Sequence, residues 1–275
     1  MQRRAILIAA IALAAVSLII FVFKLTGAGK KAAKIQHPEG AYIYVPVEKV
    51  PAVALVLDDF GYTKKNLKEV NSLGIPITLA VLPNTPYSKA VCSFADKNGM
   101  EVILHMPMEP EREDVALEKD TLLVEMDPKS VSDVINRAFE SVPSAKGMNN
   151  HMGSKATGDN EFMTAVLKDL KKRDMFFLDS RTSKDTVCKQ AALKVGIAYL
   201  GRDVFIDNKL DPESIKRQMH KVEKMVLEGS DVIAIGHDRA MTVKVLKEVV
   251  PEMKKKGIKF VTLSEMAGKD VGSRD

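Results

Sequence analysis

Tryptophan is absent from this 275-residue chain, and aromatic residues of all kinds make up only 5% of it. Proteins that bind single-stranded nucleic acids stack the bases on aromatic rings. Long polysaccharide grooves stack sugars in a similar way, so the composition argues against an extended groove of that type. A glycine-rich phosphate-binding motif is also missing. These absences argue against a stacking platform for single-stranded nucleic acid, a long sugar-stacking groove and a glycine-rich phosphate loop.

Acidic residues are missing from the first 34 positions, which hold six of the 41 basic residues. The other 35 basic residues nearly balance the 36 acidic ones. The net charge of +5 therefore belongs to the N-terminal segment, and the rest of the chain has no excess of basic charge. Since a nucleic-acid-binding domain should carry a basic face, we expect no nucleic-acid partner.

Cysteine occurs only twice, as Cys92 and Cys188. Two thiols are too few for a disulfide framework, although they could pair in an oxidising compartment. Both positions lie in stretches with a helical pattern. The favoured alternative is two small buried apolar side chains.

Charge is also absent from residues 5–23, AILIAAIALAAVSLIIFVF. Nineteen helical residues at about 1.5 Å each nearly match the hydrocarbon core of a bilayer, which is about 30 Å thick. No convincing cleavage site follows, so we favour an uncleaved signal-anchor helix over 1–24. A cleaved signal peptide and a buried core helix are the alternatives. The expected location is the inner or cytoplasmic membrane, with the soluble domain outside the cytoplasm, in the periplasm or extracellular space.

Short β-branched runs alternate with amphipathic stretches from Pro51 onward, after a linker over 25–50. This alternation is typical of βαβ units, because parallel strands need a crossover connection. About eight units predict an α/β fold, a distorted (β/α) barrel of about 7–8 parallel strands over 51–268, followed by a tail over 269–275. Helices are expected near 128–141, with Asp127 as N-cap, and near 212–227.

Polar residues collect where the predicted strands end. The carboxyl ends of parallel strands form the active site in such folds. These positions are Asp58 and Asp59 on the first strand, His105 on the third, Asn149, Asn150 and His151 on the fourth, Asp179 and Arg181 on the fifth, Arg202 and Asp203 on the sixth, and His237 and Asp238 on the seventh.

One carboxylate and two imidazoles that converge from three strands suit a divalent ion such as zinc, with a position left open for water. Such an ion lowers the pKa of its water to about 7 and polarises a carbonyl oxygen. A neighbouring carboxylate can then act as general base. Read singly, each motif could be an ordinary turn, cap or buried histidine; together they predict one shared site.

The motifs LVLDDFG, ILHMPMEP, GMNNHMGS and IAIGHDRAMTVKVLKEVVPEM resemble those of the divergent polysaccharide deacetylases, a branch of the metal-dependent carbohydrate deacetylases. The resemblance covers about 51–268 and implies a distorted (β/α) barrel. It also implies roles for four residues. Asp58 would be the catalytic base, Asp59 and His105 would bind the metal, and His237 would be the general acid.

Two positions depart from the main family's pattern. Glu109 stands where a second metal-binding histidine is expected, so the third ligand is either His151, which we prefer, or Glu109. The arginine that positions the base is missing from the 149–153 loop, and Arg181 or Arg202 could replace it. Asn149 and Asn150 are further candidates for contact with substrate or support of the ligands.

The predicted function is a membrane-anchored, metal-dependent hydrolase that cleaves an amide bond, removing acetyl from an N-acetylated sugar or its polymer at the cell envelope. The alternative is a catalytically weak module that binds envelope glycan or a protein on the same barrel, since fold alone does not determine function. The altered second motif favours this alternative.

Overall fold

A computed structural model describes residues 32–36, 42–46 and 50–271, with side chains over 50–268. The chain divides into two units at the Val50–Pro51 bond. In the first, strand β1 (Ala32–Gln36) pairs antiparallel with β2 (Tyr42–Pro46), within the segment predicted as a linker. The predicted anchor helix lies outside the described residues. Among the described residues, no helix is both long and apolar enough to span a bilayer.

The second unit contains a sheet of nine strands, and every pairing in it is parallel. The strands are β3 (Ala52–Phe60), β4 (Thr78–Val81), β5 (Glu101–Met108), β6 (Ala145–Met152), β7 (Phe176–Asp179), β8 (Tyr199–Gly201), β9 (Val204–Phe205), β10 (Val232–His237) and β11 (Lys259–Val261).

Eight strands follow the order β8-β7-β6-β5-β4-β3-β10-β9, and β11 pairs with β3 beside this path. The two strands at the ends of the path, β8 and β9, do not pair with each other in this described sheet. The architecture is therefore a curled, open half-barrel. The predicted parallel α/β fold is confirmed, and its distorted barrel is open between β8 and β9.

Eight helices are described after Pro51. They are α1 (Leu67–Asn71), α2 (Ser88–Lys97), α3 (Pro128–Ser141), α4 (Asn160–Lys172), α5 (Cys188–Val195), α6 (Pro212–Leu227), α7 (Ala240–Lys255) and α8 (Leu263–Val271). Asp127 caps α3 as predicted, accepting from the backbone nitrogens of Lys129 and Ser130 at 2.8 and 3.1 Å. Asp211 caps α6 in the same way. In both helices proline follows the cap, where its missing N–H costs nothing.

Alternation along β3 sends its side chains into two different apolar layers. Val53, Leu55 and Leu57 belong to the large cluster between the sheet and helices α1–α7. Ala52, Ala54 and Val56 lie on the other face, in a smaller cluster that α8 covers. This second face is the inside of the curl.

Cys92 and Cys188 are both buried and both free, so the favoured interpretation of two apolar thiols is confirmed. Burial raises the pKa of each thiol.

Candidate active site

Alternation on four strands places polar groups on the inner face of the sheet, directly above the small apolar cluster. Asp58 is two residues beyond Val56, and His105 and His237 are each two residues beyond an isoleucine of that cluster. Register brings these positions level, because Asp58 pairs with His237 and His105 pairs with Asn149. Asp58, His105 and Asn149 are buried. The observed β5 is the predicted run EVILHMPM, and it continues three residues beyond His105, to Met108.

The backbone of β3 changes its conformation at Asp59. The register between β3 and β4 is irregular between Leu57 and Phe60, and Asp59 has a φ of +66°. Aspartate is among the few residues that adopt this left-handed region readily. In a regular strand Asp58 and Asp59 would point to opposite faces. A bulge of this kind re-aims a side chain, and here it brings Asp59 close to the inner-face groups.

The carboxylate of Asp59 lies beside two imidazole rings. Its Oδ1 lies 3.3 Å from His105 Nε2 and 3.2 Å from His151 Nδ1, and the two ring nitrogens are 3.1 Å apart. One ligand atom from each residue lies within 4.8 Å of the others. Asp59 Oδ1 is buried and has no hydrogen-bond partner. A buried carboxylate oxygen without a hydrogen-bond donor, beside two imidazole nitrogens, fits a divalent cation, and this donor set suits zinc.

The charges in this cluster depend on each other. Burial opposes ionisation of Asp59, but contact with His105 and His151 outweighs it and holds its pKa far below the usual range. Burial also opposes protonation of His105, while Asp58 and Asp59 outweigh it and raise its pKa to about 9. The cluster therefore keeps Asp59 ionised and available to a cation.

Asn149 connects the two halves of this arrangement. Its Oδ1 lies 2.8 Å from His105 Nδ1, and its Nδ2 donates to Asp58 Oδ1 at 3.0 Å and to Ser180 Oγ at 3.1 Å. Since Oδ1 can only accept, the proton of His105 lies on Nδ1. Its raised pKa keeps a second proton on Nε2 near neutral pH; loss of that proton, which a metal ligand requires, leaves the Nε2 lone pair facing Asp59 and His151.

Asp58 is almost completely buried, at 3% exposure. Burial is the main reason that its pKa is raised, and Asp59 adds to the effect; His105, His237 and Asn149 oppose it. A carboxylate with a raised pKa is a better proton acceptor than a solvated one. The two adjacent aspartates therefore have different surroundings. Asp59 contacts two imidazole rings, whereas Asp58 is buried and suited to accept a proton.

His237 lies on β10, the strand paired with that of Asp58, and is held by Asp207. Its Nδ1 is 2.8 Å from Asp207 Oδ1, and its backbone nitrogen donates to Asp207 Oδ2 at 3.0 Å. Thr242 Oγ1 donates to the same Oδ2 at 2.6 Å. This leaves Nε2 facing the cleft, 3.9 Å from Asp59 Oδ2.

Asp207 is a residue that the sequence analysis missed. It is fully buried, and although burial opposes ionisation, its bonds with His237 and Thr242 lower its pKa. The signal was present, because the apolar run VFI ends in Asp207 just as LVL ends in Asp58.

Comparison with known proteins identifies the family of this chain. The family model for divergent polysaccharide deacetylases matches residues 55–267. The chain belongs to that family. It is 36% identical over 198 residues to the Escherichia coli protein YibQ; the match covers 72% of this chain and 62% of YibQ.

Solved structures show the same fold at low sequence identity. An Agrobacterium tumefaciens protein of 19% identity has a TM-score of 0.74, over 86% of this chain and 100% of that one. The catalytic domain of a Eubacterium rectale peptidoglycan N-acetylglucosamine deacetylase has 15% identity and a TM-score of 0.51, over 77% and 87%. This member of the divergent family thus has a deacetylase-like fold with a possible Asp/His metal site.

Four other residues that the sequence analysis proposed for the site lie outside the Asp59, His105 and His151 group. Glu109 is not in the cluster of metal-ligand groups; its carboxylate accepts from Lys155 Nζ and from the backbone nitrogen of Val124. Asn150 is buried and accepts from the backbone nitrogen of Ser180. The remaining two, Arg181 and Arg202, donate to each other's backbone carbonyls.

Arg202 also donates to the carbonyl of Ser180, at 2.7 Å. The two arginines therefore shape the loop after β7. Within the described residues, the side-chain amide that contacts Asp58 comes from Asn149 and not from an arginine.

Proposed function

We propose that this chain is a metal-dependent hydrolase that removes acetyl from an N-acetylated sugar or its polymer at the cell envelope. The observation that carries the proposal is the convergence of Asp59, His105 and His151, with Asp58 beside them and His237 Nε2 3.9 Å from Asp59 Oδ2. Membership of the divergent deacetylase family supports the same chemistry.

Asp59, His105 and His151 would hold the ion, with zinc as the expected metal. His151 is preferred to Glu109 because it lies beside Asp59, whereas Glu109 is engaged by Lys155. When bound, a divalent ion supplies Lewis acidity, which activates water at neutral pH and stabilises negative charge on a carbonyl oxygen.

The chain's own residues would move the protons. Asp58 accepts the proton of the attacking water, which its raised pKa favours. Asn149 holds Asp58 through Oδ1 and leaves Oδ2 for this task. His237 donates from Nε2 to the departing amine, and Asp207 stabilises the protonated imidazole through Nδ1.

We also propose that a signal-anchor helix over 1–24 holds the domain outside the cytoplasm, at the inner or cytoplasmic membrane. The uncharged run 5–23 supports this location, as does its length. An envelope glycan would then be within reach of the barrel. Protease accessibility of the domain in intact spheroplasts tests this part of the proposal.

The decisive experiment measures metal content and acetate release together, on the full chain purified in detergent. We expect near-stoichiometric divalent metal and release of acetate from N-acetylated oligosaccharides. Asp58→Asn should keep the metal and lose acetate release, because only the base is removed. A chain that holds no divalent ion would refute the mechanism. A metal-loaded chain that binds glycan without releasing acetate would instead establish the binding module.

A further inference from the structure

A cavity of about 290 Å³ lies between the segment 202–209 and one face of α6. Arg202 and Asp203, which connect β8 to β9, line it, so the cavity borders the unpaired ends of the sheet. The α6 residues in the lining are spaced three and four apart and therefore share one face of the helix. They are Ser214, Arg217, Gln218 and Lys221.

The lining carries an excess of positive charge. It contains one carboxylate, Asp203, which accepts from the backbone nitrogen of Ile233 at 2.8 Å. The lining also contains four cationic side chains, those of Arg202, Lys209, Arg217 and Lys221. A cavity with this balance attracts anions.

Two of the four cations are available to a ligand. Lys209 Nζ lies 3.5 Å from a carboxylate oxygen of Asp211, which partly neutralises it. Arg217 donates to Ser214 Oγ at 2.6 Å, a neutral partner. Neither Arg217 nor Lys221 forms an ion pair within the part of the chain whose side chains are described.

The cavity is one side chain away from the proposed proton donor. Phe205 lines the cavity, and its ring centroid lies 5.0 Å from that of His237. The guanidinium of Arg202 lies over the same phenyl ring, 4.8 Å from its centroid. Phe205 therefore contacts both the cavity and the imidazole of the proposed proton donor.

We propose that this cavity binds an oxyanion, a carboxylate or phosphate, carried by the glycan on which the chain acts. The inference rests on the proposed function and specifies its substrate class: an acidic N-acetylated glycan rather than a neutral one. Arginine binds carboxylate and phosphate through two parallel hydrogen bonds, and lysine adds a mobile point charge. Arg217 and Lys221 therefore select the acidic polymer.

Binding by the zinc-loaded full chain tests the proposal, with two oligosaccharides of equal length. One is the neutral tetramer of N-acetylglucosamine; the other alternates N-acetylglucosamine with N-acetylmuramic acid, whose lactyl groups supply carboxylates. We expect the acidic tetramer to bind about tenfold more tightly at low salt. The double variant Arg217→Glu with Lys221→Glu should abolish this preference and leave binding of the neutral tetramer unchanged.

The matched control reverses two exposed cations of another helix, Lys168→Glu with Lys172→Glu, and should keep the preference. Equal binding of both tetramers by the wild type, or a preference that survives Arg217→Glu with Lys221→Glu, overturns the proposal. Inorganic phosphate is the third probe. If it fills the cavity at millimolar concentration without weakening the acidic tetramer, the ligand is a free anion and the proposal also fails.

Acetate release separates this inference from the proposed function. Suppose that the wild type prefers the acidic tetramer, that the double variant loses this preference, and that neither tetramer releases acetate. That result would refute the hydrolase and support the anion site. Equal acetate release from both tetramers, unaffected by the double variant, would keep the hydrolase and refute the anion site.

Discussion

Two kinds of aspartate–histidine contact lie in the candidate site, and they differ in distance and geometry. Asp207 lies 2.8 Å from His237 Nδ1, a direct hydrogen bond. Asp59 Oδ1 lies 3.2 and 3.3 Å from two ring nitrogens, yet it is buried without a hydrogen-bond partner.

The difference separates two kinds of chemistry that use the same residue types. A short bond between carboxylate and Nδ1 orients an imidazole and stabilises its protonated form. An unpartnered carboxylate oxygen beside two imidazole nitrogens is suited to share a cation. The predictions below test whether the two sides act independently, beginning with the largest expected effect.

Metal binding should depend on the side chain of His151 and not on that of Glu109. We expect His151→Ala to lose near-stoichiometric metal and, with it, acetate release, because one of three ligands is removed. Glu109→Ala should keep the metal, since its carboxylate bonds Lys155 and the backbone of Val124. Metal content by mass spectrometry after dialysis compares the two. The reverse pattern would assign the third ligand to Glu109.

Removal of the proposed proton donor, His237, should lower the rate of acetate release without loss of metal. In His237→Ala we expect kcat for acetate release to fall about 10²–10⁴-fold, the usual contribution of a general acid. Metal content should stay at the wild-type level, because His237 Nε2 lies 3.9 Å from Asp59 Oδ2 and outside the ligand group. A variant that also loses its metal would show that the two sides are one unit.

Asn149 should affect a metal ligand and the proposed base at once, because it contacts both His105 and Asp58. Asn149→Ala removes the partner of His105 Nδ1 and the donor to Asp58. We expect metal affinity to fall about 10–100-fold, as for other groups that orient metal ligands. Competition with a chromogenic chelator measures the affinity. Asn150→Ala, beside it on β6, is the control, and an equal loss there would indicate general damage to the strand.

The smallest effect concerns stability and its dependence on pH. The lowered pKa of Asp207 means that its stabilisation is present above the unfolded-state pKa, about 3.9, and is lost as pH falls through the folded-state value. Asp207→Asn should therefore cost about 1–3 kcal/mol of unfolding free energy at pH 7.

The difference in unfolding free energy between Asp207→Asn and the wild type should become smaller as the solution is acidified below about pH 4, because the wild-type carboxylate becomes protonated. Urea unfolding at several pH values follows it. A difference that is constant with pH would mean that the charge of Asp207 contributes nothing to the fold.

Local patterns predicted the features that depend on local interactions. Asp127 followed by proline predicted the start of α3, and alternating runs predicted parallel strands, because capping and periodicity act over a few residues. Histidines beyond apolar runs also indicated the shared site.

Features that depend on distant pairing were not predictable in this way. The open ends at β8 and β9, the engagement of Glu109 by Lys155 and the contact of Asp207 with His237 all join segments far apart in the chain. The left-handed conformation of Asp59 depends on the register with β4, which one strand alone does not reveal.

The bulge at Asp59 has a mechanical consequence. The proposed base and the proposed ligand are neighbours in the chain, so one trans peptide unit, about 3.8 Å between Cα atoms, sets their separation. His105, His151 and His237 come from other strands, and their positions change whenever the open half-barrel widens or narrows. Any widening of the sheet would therefore shift the three histidines relative to the two aspartates, while the distance between the Cα atoms of Asp58 and Asp59 stays fixed by covalent bonds.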